Sequence, residues 1–167
     1  MNKMVFSCVI CGQYADDGDG LNRVCADCDG YEQLRQAQEF ADLRSDCKKV
    51  KVGSLIICRG KKYFGANRVI PRGCDRESCN KDGHCVATIH SEIDAIVRAK
   101  TDLTNGIIYV TRYPCESCAR AIVDAGIKTV IYGRWKKISE DTERIFKENY
   151  VRVVHRPAFN PPEGEEQ

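Results

Sequence analysis

A chain of 167 residues, 43% hydrophobic and 30% charged, has the size of one ordinary domain with a small appendage and can bury a core without disulfides. A formal net charge of +2 excludes a strongly basic polyanion binder and leaves room for a local cationic pocket. No apolar run reaches the length of a membrane span, and the start Met1-Asn2-Lys3-Met4-Val5-Phe6 lacks a long apolar core, so the sequence predicts a cytoplasmic protein with no membrane partner.

The first stretch holds Cys8-Val9-Ile10-Cys11 and Cys25-Ala26-Asp27-Cys28, a C-x2-C-x13-C-x2-C spacing that predicts a small zinc ribbon over residues 1–29, with a structural zinc held by four thiolates. A redox C-x-x-C and a nucleic-acid-binding finger compete with that reading. The first lacks the surrounding βαβ pattern, and the acidic connector Asp16-Asp17-Gly18-Asp19-Gly20 argues against phosphate contact in the second. A docking or oligomerisation role suits the ribbon better.

From Gly30 to Asp46, the residues Tyr31, Leu34, Ala37, Phe40, Ala41 and Leu43 recur at helical spacing and open the main domain, expected over 30–156. Val50 to Cys58 reads as a buried strand, turning at Arg59-Gly60-Lys61 into a second strand over 62–66. Residues 65–73 form a loop with two arginines, and Cys74 to Cys85 is loop-like and rich in cysteine. Ile89, Ile93, Ile96 and Val97 mark one face of a helix that starts near His90.

Ile107 to Thr111 is a strand, Cys115 to Ala125 a helix ending at Gly126, and Thr129 to Tyr132 a strand. Ser139 is placed to cap a helix running to Asn149, and Val151 to Val154 closes the series. The tail 157–167, rich in Pro and Glu, is expected to fray. A hairpin followed by alternating helices and strands predicts an α/β fold. Its mixed sheet has five strands with helices on both faces, and its last strand runs parallel to its predecessor.

The chemistry concentrates in His90-Ser91-Glu92 and Pro114-Cys115-Glu116-Ser117-Cys118. His90, Cys115 and Cys118 offer one imidazole and two thiolates, three ligands that leave an open position on a tetrahedral zinc and so read as a catalytic centre. Both segments begin helices, whose positive N-termini favour thiolate over thiol. Zinc lowers the pKa of bound water to about 7, and Glu92 is placed to move the protons. H-x-E followed by P-C-x-x-C recurs in zinc nucleobase deaminases. Each part alone is weak: a lone His, a first-turn Glu or one C-x-x-C has an ordinary structural role more often than not.

Beyond that motif, the segments 83–96, 108–111, 114–119 and 125–128 resemble the deoxycytidylate (dCMP) deaminase family. The resemblance covers about residues 30–155 and is most specific from 83 to 133. It implies a cytidine-deaminase-like, three-layer α/β/α fold, hydrolysis of dCMP to dUMP and ammonia, and a homo-oligomer. The loop 65–73 is similar to the family's G-Y-N-G-x-P-x-G segment, which puts Asn67 at the Asn expected to contact the sugar. Ala66 stands where the family has Tyr, Arg68 where it has Gly, and one extra residue precedes Pro71. The region responds to dCTP and dTTP in many members, so these departures bear on allosteric control. A plain turn Asn is the competing reading of Asn67.

A nucleotide needs a phosphate partner. Arg112, then Arg68 and Arg72, are the candidates, since guanidinium forks suit phosphate oxygens, although each serves equally as a solvated charge. Tyr113 lies beside them. The resemblance also implies a further structural zinc near the first helix, with Cys47, Cys74, Cys79 and Cys85 as ligands and His84 as a substitute. Unligated core thiols are the alternative, and Cys58, in an apolar strand, is expected in the core. The total is then one catalytic zinc and one or two structural ones.

The main rival function is a deaminase acting on single-stranded DNA or tRNA, or on another cytosine nucleotide such as dCTP. Tyr113 and Trp135 with Lys136 and Lys137 are the only cluster suggesting base stacking. A non-enzymatic zinc-stabilised assembly protein is a second rival, and leaves Glu92 without purpose.

Overall fold

The computed structural model describes residues 30–69, 87–134 and 139–156, and the backbone of Phe6–Ser7, Tyr14–Ala15, Asn80–Lys81 and His84–Cys85. Its main elements are α1 (Tyr31–Arg44), β1 (Gly53–Cys58), β2 (Lys61–Ala66), α2 (Ser91–Ala99), β3 (Ile107–Arg112), α3 (Glu116–Asp124), β4 (Thr129–Arg134), α4 (Glu140–Glu148) and β5 (Arg152–His155). The five strands form one sheet in the order β5-β4-β3-β1-β2. β1 pairs antiparallel with both β2 and β3, whereas β3, β4 and β5 run parallel. The α4 crossover thus delivers β5 parallel to β4, as predicted.

Alternation along the strands divides the core. Ile56, Ile108, Val110 and Val130 face α2, α3 and α4, where they meet Ala95, Ala119, Ile122 and Phe146. Leu55, Tyr109 and Ile131 face Leu34 and Ala37 of α1. The result is the expected three-layer α/β arrangement, with one helix on one face and three on the other.

The hairpin β1–β2 lies between two helices that approach very closely, and two glycines permit it. A Cβ on Gly53 would lie 1.9 Å from the Ala37 carbonyl oxygen of α1. On the opposite face, a Cβ on Gly65 would lie 2.2 Å from the Ser91 carbonyl oxygen and 2.4 Å from the Ala95 nitrogen of α2. Helix α2 therefore rests directly on the backbone of β2.

Some expectations need correction. Strand β1 starts at Gly53 rather than Val50; Asn67 holds the preceding turn, accepting from the Val52 N–H and donating to the Val50 carbonyl. Leu43 is 83% exposed, so it lies off the buried face of α1. In α2 the buried residues are Ser91, Glu92, Asp94, Ala95 and Ala99, while Val97 is 61% exposed. The small residues face the sheet because the contact at Gly65 excludes larger ones. Residues 80–81 and 84–85, expected in a loop, pair as a short antiparallel ladder. Phe6–Ser7 and Tyr14–Ala15 form another. No helix among the described residues is long and apolar enough to cross a membrane.

Candidate active site

Two helix starts converge beside the central strands. His90 is the N-cap of α2 and Cys115 the N-cap of α3, both with extended backbone and neither capping its helix with its side chain. Their carbonyls accept the first helical bonds, from Asp94 and Ala119, which leaves the side chains directed at each other. His90 Nδ1 lies 3.4 Å from Cys115 Sγ and 3.3 Å from Cys118 Sγ. All three donor atoms fall within 4.8 Å of one another.

This donor set fits a zinc ion. Bonds of about 2.3 Å to sulfur and about 2.0 Å to nitrogen at tetrahedral angles separate N and S donors by roughly 3.5 Å, close to the spacing found. The hydrogen bond from Cys118 holds the Cys115 thiol down at about 3, and His90 adds to the effect. The same contact, followed by burial, pushes the Cys118 thiol up. A cation between them favours both thiolates.

Glu92, in the first turn of α2, is 4% exposed. Burial pushes its carboxyl above the usual carboxylate range, opposed by its own backbone N–H and by His90. Ser91 Oγ donates to Glu92 Oε2 at 3.1 Å, and Ser54 Oγ of β1 lies 2.7 Å from Ser91 Oγ.

The predicted substrate-binding residues are placed differently from one another. Asn67 is buried, with Oδ1 accepting from Ser45 Oγ at 2.7 Å and the Val52 N–H at 2.8 Å, and Nδ2 donating to the Val50 carbonyl at 2.8 Å. Arg68 Nε donates to Asp94 Oδ1 at 2.7 Å, while Arg98 Nε meets Oδ2 of the same carboxylate at 2.8 Å. Asp94 is 1% exposed and also accepts from the Ala66 N–H, so Arg68 is tied to a buried anion. Arg112 ends β3 half-buried, in register with Arg134 of β4. Tyr113 packs edge-on against Tyr132 at 4.8 Å, and burial pushes its hydroxyl up to about 12.

Cys58 is buried in β1, as expected, and Cys47 is buried behind α1, its N–H donating to Ser45 Oγ. Cys8, Cys11, Cys25, Cys28, Arg72, Cys74, Cys79, Trp135, Lys136, Lys137 and the tail 157–167 lie outside the described residues, as do the side chains of His84 and Cys85. Ser54, Ser91 and Asp94 were missed by sequence reasoning. The available signal was a polar residue inside a buried apolar run, which Ser54 supplies at the start of Leu55-Ile56-Ile57.

The chain is similar to several known proteins. ComE operon protein 2 of Bacillus subtilis (strain 168) is 38% identical over 119 residues, which cover 66% of this chain and 62% of that protein. Deoxycytidylate deaminase of Saccharomyces cerevisiae (strain ATCC 204508 / S288c) is 31% identical over 129 residues, covering 68% of this chain and 40% of that enzyme. The chain thus spans less than two thirds of the length of either curated relative. The crystal structure of dCMP deaminase from the cyanophage S-TIM5, in complex with dCMP and dUMP, superimposes with a TM-score of 0.61 and 27% identity over 75% of this chain and 94% of that one. Residues 28–155, more than half of the chain, match the family described as MafB19-like deaminase. The chain therefore belongs to the MafB19-like deaminases of the cytidine and dCMP deaminase superfamily.

Proposed function

We propose that the protein is a zinc-dependent deaminase that hydrolyses dCMP to dUMP and ammonia. The observation that carries this reading is the placement of Glu92, a buried carboxyl on the same helix turn as His90 and beside Cys115 and Cys118. His90, Cys115 and Cys118 would hold the metal. Bound there, zinc would supply a water with a pKa of about 7, a nucleophile at neutral pH.

The proton traffic falls to Glu92. As the water oxygen bonds to C4 of cytosine, Glu92 takes one proton and passes it to N3. It carries the second to the amino group, the C4–N bond breaks, and ammonia leaves with C4=O in place. A buried carboxyl with a raised pKa suits an acid and base that must act in turn.

The choice of dCMP is supported by the yeast and cyanophage relatives, both named as dCMP deaminases. Arg112, three residues before Cys115 at the carboxyl end of β3, is the side chain we assign to the 5′-phosphate. Asn67 retains one Nδ2 hydrogen outside the bonds it makes among the described residues, suited to a sugar hydroxyl.

The test is ammonia release by zinc-loaded protein offered dCMP, dCTP, deoxycytidine or a short cytosine oligonucleotide. Preferential turnover of dCMP is expected. Preference for the oligonucleotide, or no ammonia from any of the four, overturns the reading.

A further inference from the structure

We propose that Ser54 and Ser91 are positioning residues, forming a buried chain of two hydroxyls that fixes which oxygen of Glu92 faces the reaction. The inference rests on the reading of Glu92 as the proton carrier. Both serines are fully enclosed, at 0% exposure. Ser91 Oγ donates to Glu92 Oε2 at 3.1 Å, and the two hydroxyl oxygens are 2.7 Å apart. A hydroxyl has one hydrogen to give. With Glu92 ionised, the Ser91 hydrogen goes to Glu92 and Ser54 donates to Ser91, so the chain runs from β1 through Ser91 to Oε2. Such chains polarise and strengthen each member.

The fold brings these groups together at some cost. Ser54 stands in register with Gly65, and only a residue without a Cβ at that position lets α2 approach closely enough for Ser91 to reach β1. Two hydroxyls are thereby withdrawn from water, at positions where two alanines would pack without desolvating polar groups. What the hydroxyls provide is a fixed Oε2, which leaves Oε1 as the working oxygen. A carboxylate that serves two acceptor positions in one cycle depends on such fixing, because a misplacement of about 1 Å lowers turnover by about 100-fold.

The test compares Ser91→Ala, Ser54→Ala and the double variant Ser54→Ala/Ser91→Ala, the last removing both hydroxyls so that neither is left unpaired. Each is measured for zinc content, melting temperature, kcat and KM for dCMP, and the Glu92 side-chain orientation in crystals. The expected result is a loss of about 10- to 100-fold in kcat for Ser91→Ala, with zinc content and KM near wild type. Ser54→Ala should lose less on its own and nothing further in the Ser91→Ala background. The double variant should melt near the wild type yet be as slow as Ser91→Ala.

Unchanged kcat in the folded double variant overturns the proposal, as do losses that simply add. If the wild type releases no ammonia from any cytosine substrate, the deaminase reading fails, and the crystals then decide the positioning role. A Glu92 carboxylate turned away from its wild-type orientation in Ser91→Ala upholds it, and an unmoved one overturns it.

Discussion

Replacing Gly65 by Ala tests how the site is built, because the geometry fixes both the size and the place of the effect. The new Cβ would sit 2.2 Å from the Ser91 oxygen, 2.4 Å from the Ala95 nitrogen and 2.8 Å from the Ala95 Cβ. Ordinary contact begins at about 3.4 Å, so α2 must retreat from the sheet by about 1 Å. Overpacking of this kind costs about 1–3 kcal/mol, which for a domain of this size lowers the melting temperature by about 3–10 °C. The retreat also opens the 2.7 Å contact between Ser54 and Ser91 and carries His90 and Glu92 with the helix. Turnover should therefore fall by about 100-fold.

Gly53→Ala is the matched control. Its Cβ would meet the Ala37 oxygen at 1.9 Å on the opposite face of the hairpin, displacing α1, which carries none of the site's side chains. Comparable destabilisation with a much smaller loss of turnover is expected, measured by thermal denaturation and by ammonia release at a temperature where both variants are folded. Normal turnover by Gly65→Ala, or equal losses in the two variants, refutes the reasoning.

Cys118→Ser should lower bound zinc by one equivalent relative to wild type, read by metal analysis of purified protein; an unchanged content removes Cys118 from the ligand set. Arg112→Ala should raise KM for dCMP while leaving KM for deoxycytidine little altered, since only the former carries a phosphate; equal KM values for dCMP in variant and wild type dismiss the assignment. The Asp102 carboxyl is held down at about 2, first by the Thr104 hydroxyl, then by the Thr104 N–H and Arg59. A group depressed in the folded state stabilises above its unfolded value, near 3.8, and that contribution is lost as the pH falls toward about 2. Asp102→Ala should accordingly be less stable than wild type at neutral pH and converge with it in acid denaturation curves.

The architecture was legible where apolar runs and turn residues agree. The run Leu55-Ile56-Ile57, the turn at Arg59-Gly60 and the β3, α3, β4 series all sit close to where their patterns place them. The convergence of His90, Cys115 and Cys118 was legible because H-x-E and P-C-x-x-C form a recognised motif placed at two helix starts. Periodicity held only in part at α2, where Ile96 packs against the core but Val97 is exposed. Ile93, Ile96 and Val97 suggest an apolar inner face, yet the face resting on β2 is made of Ser91, Asp94 and Ala95, chosen by close approach and by the site rather than by hydrophobicity. Whereas the ion pair of Asp94 with Arg98 follows the ordinary i,i+4 spacing of a helix, its pair with Arg68 was equally hidden, since 26 positions in sequence separate the two. Contacts of that range depend on the packed fold, which composition does not reveal.

The central claim is that a buried acid beside a His-Cys-Cys metal centre drives hydrolysis of dCMP. Its most direct measurement is ammonia release from dCMP by wild type and by Glu92→Gln, both shown to be folded and to carry the same zinc. The account predicts steady release by the wild type and a loss of at least about 100-fold in the variant. Normal release by a zinc-loaded Glu92→Gln protein would contradict it.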